Sequence, residues 1–298
     1  MSYFQNHKFT GCGTALVTPF ESDGSVALET FSELINWQIE SGVDFLVPCG
    51  TTGESPTLTN KEYQAVIKQC VETADGRVPI LAGAGTNDTR HAIQLSEIAQ
   101  ENGADGVLSV TPYYNKPSHK GLLQHYGQIL ETIDIPLVLY NVPSRTSLNM
   151  EVSTIAEISQ HPGVIGLKDA GGNLEHTMRL LELEPEFLIL SGDDAVTLPM
   201  ISIGAQGVIS VASNVIPAEM AGLVKAAREG NSKIARDLHY RYIGLMDILF
   251  IESSPMPVKY ALAQMAKIKE VYRLPMCPLL DESKVRVTQE LLRIGLTV

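Results

Sequence analysis

The chain has 298 residues, 44% of them hydrophobic, which is enough apolar material for a large buried core in one or two domains. Its 22 basic residues against 34 acidic ones give a net charge of −12, which argues against a nucleic-acid backbone or an anionic membrane as partner. No apolar run is long enough to cross a membrane, and residues 1–10 lack the apolar core of a signal peptide, so we expect a cytoplasmic location.

Short apolar runs alternate with amphipathic stretches along the chain. Eight runs have the length and composition of buried strands, at 13–18, 44–48, 79–84, 106–111, 136–141, 164–168, 187–191 and 207–211. Helical patterns follow each of them, at 28–40, 60–74, 89–102, 120–132, 152–160, 174–183, 195–203 and 218–228. Eight strand-helix units in succession favour a closed (β/α)8 barrel over an open doubly wound sheet, which usually has fewer strands.

Three more helices are predicted after the eighth unit, at 232–250, 257–267 and 283–296. No linker or low-complexity tract separates them from the rest, so we expect one structural unit. It would be an α/β protein, with a (β/α)8 TIM barrel at 1–230 and a C-terminal helical appendage at 231–298 packed on the barrel. Lys259, within the appendage, is predicted to lie on a helix surface.

One lysine ends a predicted strand. Val164 to Leu167 is apolar enough to be buried on both faces of a parallel sheet, and Lys168 follows it directly. Burial disfavours the charged ammonium relative to the neutral amine, and a neutral amine can attack a carbonyl. Lys168 is therefore a candidate Schiff-base lysine, and the alternatives are a side chain that reaches the rim of the sheet or pairs with Asp169.

Other polar side chains follow the strands at the same end, which is where such barrels carry their active sites. Thr51 and Thr52, after the second strand, offer hydroxyl and amide donors to a carboxylate or phosphate. Tyr140 ends the fifth strand beside Lys168, and a phenol near an amine suits imine chemistry because several protons must move. Arg145 is either a surface residue or a bidentate carboxylate ligand.

Three motifs occur along the chain in a particular order. They are Gly50-Thr51-Thr52-Gly53-Glu54, Tyr140-Asn141-Val142-Pro143-Ser144-Arg145 and Gly166-Leu167-Lys168-Asp169. Their combination, order and spacing resemble the dihydrodipicolinate synthase and N-acetylneuraminate lyase family of pyruvate-dependent class I aldolases, and the resemblance extends over nearly the whole chain. The paired threonines and Arg145 are similar to the synthase branch, because the sialic acid lyases usually have Ser-Thr at the first place and lack that arginine.

The resemblance implies a role for each of four side chains in proton and carbon chemistry. Lys168 would form the Schiff base with pyruvate. Tyr140 would shuttle protons through Thr51 and Tyr114, and Tyr114 would come from the neighbouring subunit of a tight dimer. We therefore expect a homo-oligomer, as a dimer of dimers.

Binding roles and the reaction are implied in the same way. Thr51 and Thr52 would hold the pyruvate carboxylate, Arg145 would hold the carboxylate of L-aspartate 4-semialdehyde, and Gly192 and Ile209 would line the pocket with backbone groups. Condensation would give 4-hydroxy-tetrahydrodipicolinate, a precursor in lysine and diaminopimelate biosynthesis, without metal or organic cofactor. Within the same family, the alternative is a lyase acting on N-acetylneuraminate or a 2-keto-3-deoxy sugar acid.

A possible effector site follows from a departure from the family pattern. Synthases inhibited by L-lysine bind it through positions that correspond here to Ser55, Asn60, Asn87, His91 and Tyr113. Ser55, Asn87 and Tyr113 fit that pattern, but it has a glutamate in place of His91 and a histidine in place of Asn60. Because the glutamate would face the ammonium groups of lysine, we expect insensitivity or weak sensitivity, unless another acidic residue replaces it.

Two other classes of protein share the barrel prediction. A metal-dependent aldolase would need histidines at strand ends, but His91, His125, His176 and His239 fall on helical stretches, and the cysteines form no Cys-x-x-Cys pair, so we expect no metal site. A non-enzymatic barrel that senses a keto acid is the other class. It would form no covalent adduct, and the mass of the protein with its ligand would distinguish the two.

Overall fold

The structure, a computed structural model, describes residues 8–183 and 187–296, so most of the segment considered for a signal peptide lies outside it. All eight predicted strands are present, with ends that differ by at most three residues. Five are β1 (Gly11–Ala15), β2 (Phe45–Val47), β3 (Leu81–Gly83), β4 (Gly106–Val110) and β5 (Leu137–Asn141). The others are β6 (Val164–Asp169), β7 (Leu188–Ser191) and β8 (Gly207–Ser210).

The predicted helices are also present, and the chain adds three short turns that were not predicted. The barrel helices are α1 (Leu28–Glu40), α2 (Asn60–Ala74), α3 (Thr89–Glu101), α4 (His119–Leu130), α6 (Val152–Ile158), α7 (Leu174–Leu183), α8 (Thr197–Ser202) and α9 (Pro217–Arg228). The C-terminal helices are α10 (Ser232–Ile248), α11 (Met256–Gln264) and α12 (Asp281–Arg293). The additional turns are α5 (Pro143–Thr146) and 3-10 helices at Ser55–Thr57 and Ala212–Asn214, which are too short for a periodic signal.

The strands form one parallel sheet in the order β2-β1-β8-β7-β6-β5-β4-β3. A parallel bridge between Leu46 and Ile80 joins β2 to β3, and the Leu46 N–H donates to the Pro79 carbonyl over 3.0 Å. Buried side chains fill the barrel, among them Phe45, Leu108 and Val138. The predicted (β/α)8 barrel is therefore confirmed.

Local sequence explains where individual elements begin and how closely they pack. At the start of α2, the Thr59 hydroxyl accepts from the Glu62 N–H over 3.3 Å, and the Glu62 carboxylate accepts from the Thr59 N–H over 2.9 Å, a reciprocal capping box. Gly207 on β8 allows a close approach to β1, because a Cβ there would lie only 1.9 Å from the Gly11 carbonyl oxygen.

The C-terminal helices share a second apolar core with the barrel. Val208 on β8 and Leu223 on α9 belong to the same buried cluster as Leu245, Leu262 and Leu291 of α10 to α12. Helix α11 is buried along its first seven residues, because it is apolar on every face. None of the helices in the described part of the chain is long and apolar enough to cross a bilayer.

Candidate active site

Lys168 is buried at the carboxyl end of β6, as predicted, with 6% of its surface exposed. It lies opposite Tyr140 of β5 in the sheet register, and its Nζ is 4.3 Å from the centre of the Tyr140 ring. Within residues 8–183 and 187–296, no hydrogen bond or ion pair involves this Nζ. The expectation that Tyr140 and Lys168 share one mouth of the barrel is therefore confirmed, and Lys168 does not extend to the rim.

Asp169 is engaged elsewhere, so the alternative pairing with Lys168 is wrong. Its carboxylate accepts hydrogen bonds from the Gly171 N–H at 3.0 Å, the Thr177 hydroxyl at 3.1 Å and the Asn141 amide at 3.2 Å, and it pairs with His176 at 3.5 Å. Burial alone would raise the pKa of Asp169, but these partners hold that pKa below its usual value. The same ion pair raises the pKa of His176, whose Nε2 faces the Met150 carbonyl at 2.9 Å.

Three cavities meet at this end of the barrel, and Tyr140 and Arg145 line all of them. The innermost, about 40 Å³, is bordered by Lys168, Thr51, Thr52 and Gly192. A second of about 260 Å³ is lined by Thr51, Ser55 and Tyr113, and a third of about 520 Å³ extends past Ser144 and Gly192. A small carbonyl compound in the inner part would contact the lysine, the phenol and the threonines together.

The threonines are carried by a tight turn between β2 and the first 3-10 helix. The Gly53 N–H donates to the Gly50 carbonyl and the Glu54 N–H to the Thr51 carbonyl, both over 3.1 Å. Thr52 is buried and Thr51 half-buried. The turn thus places both threonines at the border of the innermost cavity, which Lys168 also borders.

Arg145 lies on α5, the short helix that begins directly after β5. Its guanidinium is exposed and donates to the Ser254 carbonyl oxygen over 3.1 Å. It forms no ion pair with any carboxylate of the described residues, so its other N–H groups can still bind a ligand carboxylate. The side chain is thus at the surface and at the cavity mouth, and its role as a carboxylate ligand stays a prediction.

Gly192 and Ile209 were expected to contribute backbone groups to the pocket. Gly192 borders two of the cavities, and its N–H donates to the Asp169 carbonyl over 2.8 Å. Ile209 instead packs inside the barrel with 1% exposure and borders none of the three cavities described here. Val211, two residues further along, borders the innermost cavity.

Tyr114 projects away from the chain that carries it. It is 89% exposed, with a left-handed backbone φ of 71°, and it lines none of the three cavities described here. Within one chain, Tyr114 therefore lies outside the cavities that Tyr140 and Thr51 line.

The five positions of the possible effector site form two groups. Ser55 and Tyr113 line the cavity of about 260 Å³. On the outside of α2 and α3, His91 Nε2 lies 3.3 Å from the Asn60 amide oxygen, and the Asn87 carbonyl accepts from Asn115 over 2.8 Å. The two residues that depart from the lysine-sensitive pattern thus contact each other.

A buried ion pair beside the threonine turn was not predicted. Lys259 of α11 is fully buried, and its Nζ donates to Glu54 Oε1 over 2.5 Å, so the prediction of a surface lysine is wrong. Burial lowers the pKa of Lys259 from its ordinary value, and the Glu54 carboxylate opposes that change. The burial of Lys259 could have been predicted from the sequence of α11, because a helix that is apolar on all sides has no solvent-exposed face for a lysine.

The fold and the site together are typical of one class of enzyme, the lysine-dependent aldolases built on a (β/α)8 barrel. In the described part of the chain, no three His, Cys, Asp or Glu side chains lie close enough to hold a metal ion. Residues 8–293 match the model of the Dihydrodipicolinate synthetase family. The chain belongs to this family.

Relatives of known name or structure match almost from end to end. The chain is 49% identical over 282 residues to a 4-hydroxy-tetrahydrodipicolinate synthase of Koribacter versatilis, which covers 94% of each sequence. The crystal structure of dihydrodipicolinate synthase from Aquifex aeolicus superposes with a TM-score of 0.95 at 40% identity, covering 97% of this chain and 99% of that one. The synthase of Acinetobacter baumannii, solved in complex with pyruvate, gives a TM-score of 0.94 at 39% identity, covering 96% and 99%.

Proposed function

We propose that this chain is a Schiff-base aldolase that condenses pyruvate with L-aspartate 4-semialdehyde to give 4-hydroxy-tetrahydrodipicolinate. The observation that carries the proposal is Lys168, which is buried, without a polar partner among the described residues, and 4.3 Å from the Tyr140 ring. The names of relatives that match nearly the whole chain support the choice of substrates. The paired threonines and Arg145 also favour this synthase over a sugar-acid lyase.

The chemistry follows from an amine and a phenol in one small cavity. The Lys168 amine adds to the ketone carbon of pyruvate, water leaves, and loss of a methyl proton gives an enamine. The enamine attacks the aldehyde carbon of the second substrate, whose own amine then displaces Lys168 from the imine and closes the ring. One water is lost in the whole reaction, and the Tyr140 phenol, whose ring centre is 4.3 Å from Lys168 Nζ, would donate and accept the protons.

Binding is divided between two parts of the cavity. Thr51 and Thr52 would hold the pyruvate carboxylate beside Lys168, while Arg145 would receive the carboxylate of the semialdehyde at the mouth. Gly192 would add backbone contacts, whereas Ile209 packs in the barrel core and borders none of the three cavities.

We further propose that the enzyme works in the cytoplasm as a homo-oligomer, a dimer of dimers. Tyr114 supports this, because an exposed tyrosine on a left-handed backbone can complete a relay in a second subunit but not in its own. Neither a metal nor an organic cofactor enters the proposed steps, so turnover should survive a strong chelator.

The decisive experiment traps the intermediate. Borohydride added with pyruvate should reduce the imine and leave a stable adduct on Lys168, identified by peptide mass spectrometry, and no adduct without pyruvate. Lys168→Arg should fold but form no adduct, because a guanidinium cannot form the imine.

Each alternative has its own result in this experiment. An adduct on another lysine would refute the assigned nucleophile, and its complete absence would favour a keto-acid sensor. Parallel assays with the semialdehyde, N-acetylneuraminate and 2-keto-3-deoxy sugar acids then test the second substrate, and turnover of only the sugar acids would contradict the proposal.

A further inference from the structure

The turn that carries Thr51 and Thr52 is held in an unfavourable backbone conformation. It is flanked by two residues other than glycine with left-handed φ angles, Cys49 at 55° and Glu54 at 53°. Such residues persist only where surrounding contacts fix them. The contacts around Glu54 therefore decide how the threonines are presented to the cavity.

The C-terminal part of the chain supplies those contacts. The Glu54 carboxylate, 2% exposed, accepts from Lys259 Nζ over 2.5 Å and from the Arg273 N–H over 3.2 Å. Lys259 also donates to the Thr18 carbonyl over 3.1 Å and lies 4.2 Å from the centre of the Phe20 ring. The ammonium is therefore enclosed between α11 and the loop after β1, with Glu54 as its only carboxylate among the described residues.

Two further hydrogen bonds hold the chain between the threonine turn and the end of the first 3-10 helix. The Thr18 hydroxyl donates to the Gly53 carbonyl over 2.7 Å, next to the threonines. At the far end, Arg273 Nη1 donates to the Thr57 carbonyl over 2.9 Å. The turn is thus attached to the first loop of the barrel and to the C-terminal segment, but its side-chain anchor is Glu54.

We propose that Lys259 is a positioning residue, which holds Glu54 and thereby keeps Thr51 and Thr52 in the orientation that binds the pyruvate carboxylate. The proposal rests on the proposed function, because it takes these threonines as the carboxylate ligands. Lys259 is fully buried and lines none of the three cavities of the site, so it acts through the turn and not on the substrate. Through Lys259, the C-terminal helices would thus contribute to substrate binding, although they are far along the chain from the threonine turn.

The test compares two variants with a matched control. Lys259→Met keeps the length of the side chain but leaves Glu54 as a buried unpaired charge, which can impair folding. The double variant Glu54→Gln/Lys259→Met removes both charges and so avoids that problem. The control, Lys284→Met, removes another C-terminal ion pair, with Glu270 at 2.9 Å, which makes no hydrogen bond to residues 49–54.

The readout is the pyruvate concentration that gives half-maximal borohydride trapping on Lys168, measured beside the thermal unfolding temperature. We expect about a tenfold rise in half-saturation for the folded Lys259 variants, with less than about a twofold change in the half-saturation for semialdehyde. The double variant should regain thermal stability relative to Lys259→Met while its pyruvate half-saturation stays high. Lys284→Met should leave pyruvate half-saturation unchanged.

Three results would overturn the proposal. The first is a folded double variant with the half-saturation of the unsubstituted protein. The second is recovery of half-saturation together with stability, which means a purely structural pair. The third is failure of the charge-balanced double variant to fold, because the pair is then a requirement of the fold. Absence of any adduct in the unsubstituted protein would instead refute the proposed function.

Discussion

Arg145 offers the sharpest test of how the site distinguishes the semialdehyde from pyruvate. Replacing it with alanine should impair use of the semialdehyde and leave pyruvate adduct formation intact, because Arg145 is exposed at the cavity mouth, whereas Thr51 and Thr52 are the proposed ligands of the pyruvate carboxylate. Truncating one partner of a buried charge pair costs about 2 to 5 kcal/mol. Since Arg145 is exposed and retains water, we expect the lower end, about 2 kcal/mol, or about a 30-fold fall in kcat/KM for the semialdehyde.

The assay is steady-state turnover with varied semialdehyde at saturating pyruvate, beside borohydride trapping without semialdehyde. Arg145→Lys should give an intermediate loss, because lysine keeps the charge but not the bidentate fork. Ser144→Ala, one residue away on the same short helix, is the matched control and should change little. If trapping and turnover fall together in Arg145→Ala, the arginine supports the structure through its bond to Ser254 and does not select the aldehyde.

Three further outcomes are expected. If Tyr114 completes the site from a second subunit, as proposed, dilution or interface variants that yield folded monomers should abolish turnover, and a fully active monomer in sedimentation experiments would refute the shared site. At pH 8, L-lysine below about 1 mM should not half-inhibit the enzyme, whereas His91→Glu should lower the L-lysine concentration for half-inhibition about tenfold. Half-inhibition of the unsubstituted enzyme below about 1 mM would show that His91 does not disable the site. Burial lowers the pKa of His125 to about 4, so stability should fall by about 3 kcal/mol as pH drops from about 6.5 to about 4, and urea unfolding of His125→Phe should lack that decrease.

Sequence reasoning succeeded where local pattern and topology are enough. Strands buried on both faces are continuous apolar runs, and short connections leave consecutive strands as neighbours in a parallel barrel. That logic alone places Tyr140 next to Lys168, as the register of β5 and β6 confirms. It also indicates the end of the barrel at which the polar residues gather.

Features that depend on a single turn or on distant segments escaped the same reasoning. Helix α5 has only four residues, too few for periodicity, although it carries Arg145. The Glu54–Lys259 contact joins positions 205 residues apart, and neither local segment reveals the partner. Ile209 was assigned by correspondence of motifs, which gives a position along the chain but not whether the side chain faces a cavity or the barrel core.

The two buried lysines show what distinguishes a nucleophile from an anchor. Lys259 is enclosed by the Glu54 carboxylate and the Thr18 carbonyl, both of which favour its ammonium form, and it lines none of the three cavities of the site. Lys168 has a cavity of about 40 Å³ beside it and no carboxylate partner in the described part of the chain. Burial alone therefore does not identify a Schiff-base lysine, because an amine can attack only where no ion pair engages it and a carbonyl can approach. Of these two residues, only Lys168 meets both conditions, so pyruvate should label it and leave Lys259 unmodified.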